Sequence, residues 1–289
     1  MSAPPIKSAA PIRSAAPLMS AASVTSEAPA SSAAPFVAVV LKYVDRRPDI
    51  DPLTGHVHTD RRSSGMSDAD MAALEWALRL ADAWGWPLTA LTAGPPEAEA
   101  VLREALAVGA NDAVRASLDE DAPSEAVASA LASWPLAPDA GLWLCGAWSL
   151  DRASGSVPAF LAAHLGIGQA LGLVGLSPVT DEAAPKPGAH PGAHPGAQPG
   201  VLHVERRLDG GRRERLRVSR PTVISLEGST ATLRRAPLPG LLSARNADIT
   251  VVPRPAGSDG AHPSSAHEVQ IGPLRPRASA LAAPSSELG

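Results

Sequence analysis

The residue types that could do chemistry gather in residues 146–157, which read Gly-Ala-Trp-Ser-Leu-Asp-Arg-Ala-Ser-Gly-Ser-Val. Gly146, Ala147, Trp148, Ser149, Leu150, Asp151, Arg152, Ala153, Ser154, Gly155, Ser156 and Val157 combine small residues, hydroxyls, one acid and one base. An apolar run precedes them, and Pro158 follows where a proline suits the first turn of a helix. A helix start carries unpartnered backbone N–H groups and the positive end of the dipole, so it favours an anion such as a phosphate. An ordinary surface loop is the competing reading. Within such a loop, Asp151 fixes a turn through backbone N–H groups more readily than it touches a ligand. Trp148 either covers a planar ring or fills the hollow beside it.

Outside that stretch the chemistry is sparse. Ser67 and Asp70 form a Ser-x-x-Asp helix start, so Ser67 reads first as a cap. Cys145 ends an apolar run and reads as a packed small residue, with no histidine placed to activate it. His164 falls on the next helix. His56 and His58 stand two apart and need a further ligand to hold a metal. His190 and His194 belong to a Pro-Gly-Ala-His repeat. No Ser-His-Asp set, Walker loop or paired carboxylates stand out.

The elements that must position residues 146–157 are legible from apolar periodicity. The continuous run of residues 36–41, Phe-Val-Ala-Val-Val-Leu, suits a strand buried on both faces. Residues 46–65 read as a polar, turn-rich excursion. A helix is expected from Asp68 to Trp84 with Met71, Leu74, Leu78 and Ala81 as its buried stripe and Gly85 as its stop. Residues 88–92 read as a strand, Pro95-Pro96 as a helix start, and Gly109 as that helix's end. A short strand near residues 113–115, a helix over 124–134 and a strand over 141–146 follow. This β-α-β-α-β-α-β order predicts a parallel sheet with right-handed crossovers and helices on both faces. The next helix runs from Val157-Pro158 to Leu165. Residues 201–208 and 213–218 flank Asp209-Gly210-Gly211 and read as a hairpin. Residues 183–200 read as a flexible loop, 222–226 as a strand, and Pro237-Leu238-Pro239-Gly240 as the opening of a basic segment ending at Val251-Val252.

Composition bounds the rest. Residues 1–35 and 254–289 are rich in Ala, Pro and Ser and are expected to be disordered, leaving one domain over 36–253. The net charge of −4 and 3% aromatic content point away from nucleic acid. The single cysteine rules out an internal disulfide and suits a reducing compartment. No apolar run reaches about 18 residues, and Lys7 and Arg13 precede no apolar signal core, so a soluble cytoplasmic protein without stable membrane insertion is expected.

Several stretches, in order, resemble the beta subunits of electron transfer flavoproteins. These are Leu41-Lys42-Tyr43-Val44, the helix pattern Ala-Leu-Glu-Trp-Ala-Leu-Arg-Leu at 73–80, Ala93-Gly94-Pro95, residues 102–110, and the nucleotide-loop pattern over 145–159. That loop keeps Cys145, Gly146, Asp151, Gly155 and Val157. Gly210-Gly211, Arg220-Pro221-Thr222-Val223 and Leu238-Pro239-Gly240 complete the series. The composition also fits divergent actinobacterial members, including mycofactocin-associated ones. The resemblance implies a three-layer α/β fold of the kind shared with universal stress proteins, carrying a C-terminal hairpin excursion. It implies an electron carrier without catalytic residues of its own, passing electrons from donor dehydrogenases to a downstream acceptor. FAD would be held mainly by an alpha subunit partner, and the redox chemistry would be the cofactor's. A nucleotide, AMP in most members and a second FAD in bifurcating ones, would meet Val40, Ser67, Asp68, Ala69, Asp70, Ala93 and residues 146–157. Leu238, with Pro239, falls at the family's docking leucine. The chain departs from the pattern at Trp148-Ser149 and Ser156, which replace side-chain amides, and at Pro158 and Ser67-Asp68. AMP, FAD or neither therefore stays open. A stand-alone adenine-nucleotide-binding regulatory module of the same fold is the alternative.

Overall fold

The structure is a computed structural model that describes residues 34–180 and 197–254. The first strand, β1 (Phe36–Val40), is buried along its whole length. Residues 46–65, expected as an irregular excursion, contain short ladders. β2 (Val44–Asp45) pairs with β5 (Ser64–Gly65), and between them β3 (Asp49–Ile50) pairs with β4 (Val57–His58).

Helix α1 (Asp68–Trp84) starts where its cap predicts: Ser67 Oγ accepts the Asp70 N–H at 3.2 Å, and left-handed Gly85 ends it. Its buried face is wider than the expected stripe. Ala69, Ala72, Ala73, Ala77 and Leu80 join Leu74, Leu78 and Ala81, while Met71 is only half-buried. The small alanines explain this, because they let the helix lie close to the sheet over a broad arc. Strand β6 (Leu88–Gly94) and a 3-10 turn at Pro96–Ala98 lead into α2 (Glu99–Val108). Then come β7 (Asp112–Ser117), α3 (Ser124–Ala132), β8 (Ala140–Gly146) and α4 (Val157–Leu165).

The last third holds more regular structure than its sequence announces. β9 (Gly168–Thr180) is a 13-residue strand that apolar periodicity does not reveal. β10 (Ala197–Arg207) and β11 (Arg213–Ser219) form the expected hairpin, but β10 begins inside the stretch read as a flexible loop. Residues 197–200 are therefore strand, and the earlier part of that stretch, from 183, lies outside the described residues. β12 (Thr222–Leu226) matches its expected bounds. Leu238 and Pro239, read as the opening of a basic segment, begin a helix, α5 (Leu238–Arg245), and β13 (Thr250–Val252) follows. The tails expected to be disordered fall almost wholly outside the described residues.

Nine strands form one sheet in the order β11-β10-β9-β12-β8-β1-β6-β7-β13. Seven of them run parallel from β9 to β13, and β10 pairs antiparallel with both β9 and β11. Alternate residues of β1 feed two cores. Val37 and Val39 pack with α1 and α2 on one face; Phe36, Ala38 and Val40 pack with α3 and α4 on the other. The fold is thus a three-layer α/β domain around a mostly parallel sheet. From β1 the chain steps outward through β6 to β7, then returns to place β8 on the opposite side of β1. That reversal makes a crevice at the carboxyl ends of β1 and β8, the place where open α/β sheets bind ligands.

Candidate functional site

A cleft of about 770 Å³, counting the space open to solvent, lies at this reversal. Its floor is built from strand ends: Val40 of β1, Ala93 of β6, and Cys145 with Gly146 of β8. The close approach of α1 to this floor needs a glycine, because a Cβ on Gly146 would sit 2.6 Å from Asp70 Oδ1. The roof is the loop after β8, and it closes on itself. A Cβ at Gly155 would lie 2.1 Å from the Ala147 carbonyl oxygen. Ala147 N–H donates to Leu226 O, Ser149 N–H to Ser154 O, and Ala153 N–H to Ser149 O. Ala153 sits at φ 48°, an uncommon place for alanine, at the point where the loop folds back.

Two cations tie this roof down. Lys42, just past β1, reaches Asp151 Oδ1 and Oδ2 at 2.7 and 2.6 Å and Ser149 Oγ at 2.9 Å. Ser149 also donates to Asp151. Burial raises the Asp151 carboxyl, but its bonds to Lys42 and Ser149 outweigh that and hold it below the usual carboxylate range. Asp151 thus fixes the loop as its residue type suggests, though through a lysine 109 positions away rather than through neighbouring backbone N–H groups. On the far side Arg152 donates to the carbonyls of Ala122, at 2.8 Å, and Glu120, at 3.1 Å. Lys42 and the 119–127 wall are the parts of the cleft that sequence reading missed. A lysine directly after a fully apolar strand was the one available signal.

The proposed site residues divide between two hollows. Val40, Asp70, Ala93, Gly146, Trp148, Ser149, Arg152, Ser154, Gly155 and Val157 line the cleft. Ser67, Asp68, Ala69 and Leu150 instead line a second hollow, which Trp148 shares. Ala147, Asp151 and Ala153 shape the roof from within. Ser156 precedes α4 without capping it by its side chain, so that helix presents an uncapped first turn, less the N–H that Pro158 lacks. Trp148 is 49% exposed and lines both hollows.

Titration at the floor is dominated by burial. Desolvation raises the Asp70 carboxyl to about 6, against hydrogen bonds from Ser67 and the Lys42 backbone. Burial and the Asp70 charge push the Cys145 thiol up, so it stays protonated and inert as a nucleophile. The His56 and His58 rings lie 4.5 Å apart, tilted by 51°, and no group of three or more potential metal ligands occurs among the described residues. No helix among them is long and apolar enough to cross a membrane.

A second candidate surface lies on α5. After β12 the chain crosses α1, where Arg234 N–H and its guanidinium bind Glu75 Oε2 at 3.1 and 3.0 Å. It then reaches α2, whose Arg103 donates to the Ala244, Arg245 and Ala247 carbonyls at the end of α5. On α5, Leu238 is 67% exposed, and Leu241 and Leu242 join it at helical spacing.

A family model described as the electron transfer flavoprotein domain matches residues 54–256. The electron transfer subunit gamma of acryloyl-CoA reductase from Anaerotignum propionicum is 38% identical over 106 residues, 35% of this chain and 39% of that protein. Protein FixA from Bradyrhizobium diazoefficiens is 30% identical over 207 residues, 69% of this chain and 66% of its own length. An electron transfer flavoprotein subunit beta from Mycobacterium bovis is 28% identical over 230 residues, 75% and 78% of the two chains. The chain therefore spans less than two thirds of the length of the first two relatives. The family match covers most of the 289-residue chain, and the chain belongs to the electron transfer flavoprotein family as a protein of the beta-subunit type.

Proposed function

We propose that the chain is the beta subunit of a heterodimeric electron transfer flavoprotein. It passes electrons from donor dehydrogenases to a downstream acceptor through FAD held mainly by an alpha subunit. The observation that carries this reading is the pairing of a roofed cleft, open to solvent, at the sheet reversal with an exposed leucine helix elsewhere on the same domain. A free-standing nucleotide-binding module has a use for the first and none for the second. One phosphate would lie beside the uncapped first turn of α4, under a roof that Gly155 lets fold back onto the Ala147 carbonyl. Adenine would lie toward the apolar floor, beside Val40 and Ala93. AMP is the nucleotide this favours over a second FAD. The flavin supplies the redox chemistry when bound; this chain's residues hold the nucleotide, keep water from the floor and present Leu238 with Pro239 to the donor.

Co-expression with candidate alpha subunits, followed by gel filtration and an absorbance spectrum, tests the reading. A yellow one-to-one complex with one FAD is expected. A colourless chain that ignores every alpha candidate yet binds adenine nucleotide would move the function to the regulatory module.

A further inference from the structure

We propose that the outer face of the β10–β11 ribbon selects the alpha subunit, by pairing its arginines with an acidic face of that partner. This rests on the heterodimer reading. Residues 201–220 hold seven arginines against Glu205, Asp209 and Glu214, in a chain whose net charge is −4. The strand register sorts them by face. Leu202 opposite Val218 and Val204 opposite Leu216 pack into the core with α1, and on that same face Arg206 and Glu214 form a matched ion pair. The other face sets His203 opposite Arg217, Glu205 opposite Arg215, and Arg207 opposite Arg213. The side chains of Arg207, Arg213 and Arg215 are 61%, 57% and 87% exposed. Four arginines share two carboxylates there: Glu205 lies 3.4 Å from Arg213 and 4.0 Å from Arg215, Glu227 lies 3.6 Å from Arg207, and Arg217 meets the neutral Gln198 at 3.3 Å. Beside this row Gly175 and Ser177 of β9 leave a shallow depression of about 1170 Å³, counting the space open to solvent.

Like charges directly opposite on a sheet are destabilising, so the Arg207–Arg213 pair costs the fold stability. Guarding an edge strand against aggregation calls for charge, but not for an excess of one sign. A second copy of this ribbon would set arginine against arginine. The complement is a row of carboxylates on another protein. Within the heterodimer the alpha subunit is the permanent partner, and the leucine surface meant for the donor lies toward the opposite edge of the sheet, since α5 packs on α2 beside β6 and β7.

The test is competition during co-expression: a tagged alpha subunit in limiting supply, with the parent and a variant of the full chain told apart by mass. Arg213→Glu combined with Arg217→Glu sets carboxylates opposite Arg207 and His203. The thermal midpoint of this variant should therefore hold or rise while its docking charge reverses. In the purified complex the parent should outnumber it by about tenfold or more, whereas Arg213→Lys with Arg217→Lys should stay near parity. The parental complex should also dissociate more readily in concentrated salt than in dilute buffer. Parity between the parent and the Glu variant, exclusion of the Lys variant as strong as that of the Glu variant, or a complex indifferent to salt overturns the proposal and leaves the heterodimer standing. Parity for the alpha subunit together with parent-only binding to phosphatidylglycerol vesicles would overturn it in favour of an anionic membrane. If the parent captures no alpha subunit, the heterodimer reading falls and takes the proposal with it.

Discussion

Two excursions leave neighbouring parallel strands, β8 and β12, and do opposite things. The strands are hydrogen-bonded side by side, with Leu226 opposite Gly146. The chain after β8 curls inward over the cleft and is held by an ion pair whose members are 36% and 38% exposed. The chain after β12 runs outward across α1 and α2 and is held by an ion pair whose carboxylate, on Glu75, is only 6% exposed. Burial raises the Glu75 carboxyl, yet its bonds to Arg234 and Arg79 hold it below the usual range, so the pair stays ionised. Both excursions also use one glycine pressed against a backbone carbonyl, Gly155 on Ala147 and Gly240 on Ala107. The difference lies in burial: the tie on the roof is half-solvated, while the one beneath the chain that leads to α5 is desolvated on its carboxylate side and holds that segment in one shape.

Variants can break that contrast. Arg234→Ala should have the largest effect. It leaves Glu75 buried with Arg79 as its remaining ion partner, and the loss should be about 3 kcal/mol by chemical denaturation. Gly240→Ala should follow at about 2 kcal/mol, because its Cβ would meet Ala107 O at 2.3 Å and lift α5 from α2. Hydrogen exchange confined to α5 and β13 would locate the damage.

At the floor of the cleft, Asp70 sharpens the comparison through pH. Its folded-state value of about 6 lies above the ordinary aspartate value near 3.9. The folded state therefore holds the proton more tightly. The group's stabilising contribution is fully present below about pH 4 and is lost as pH rises through 6. Asp70→Asn should accordingly be more stable than the parent by about 2 kcal/mol at pH 8, with the gap closing toward pH 4. A gap that widens on acidification would mean that burial does not control this carboxyl. Lys42→Ala should cost under about 1 kcal/mol in stability, since its pair is half-solvated, in contrast to Arg234→Ala.

Much of the fold was legible because its signals are local. Ser67 and Gly85 bracket α1, Val157-Pro158 and Gly166 bracket α4, and the β-branched run of β12 reads as a buried strand. The misses also have physical reasons. β9 carries glycines at 168, 172 and 175 and a proline at 178, which look like loop punctuation; its register shifts against β12, and Gly172 sits at φ 67° with its N–H on Ser225 Oγ. α5 opens with Pro-Leu-Pro-Gly, a turn signature that here begins a helix because Pro237 and Pro239 fall at its start. The loop over 146–157 was singled out in the sequence, but the ion pair that latches it was not. Lys42 to Asp151, Arg152 to Ala122 and Glu75 to Arg234 join residues far apart in sequence, and no local pattern announces such pairs.

The smallest expected effect on stability belongs to Leu238→Ala, a largely exposed residue whose truncation should cost under about 0.5 kcal/mol. The same variant gives the most direct test of the division of labour between the two excursions. In the assembled complex with an alpha subunit, flavin reduction by a donor dehydrogenase would be followed by stopped-flow absorbance, with FAD and AMP content measured on the same samples. The account predicts slower reduction at unchanged FAD and AMP. Unaltered kinetics, or loss of either cofactor, would contradict it.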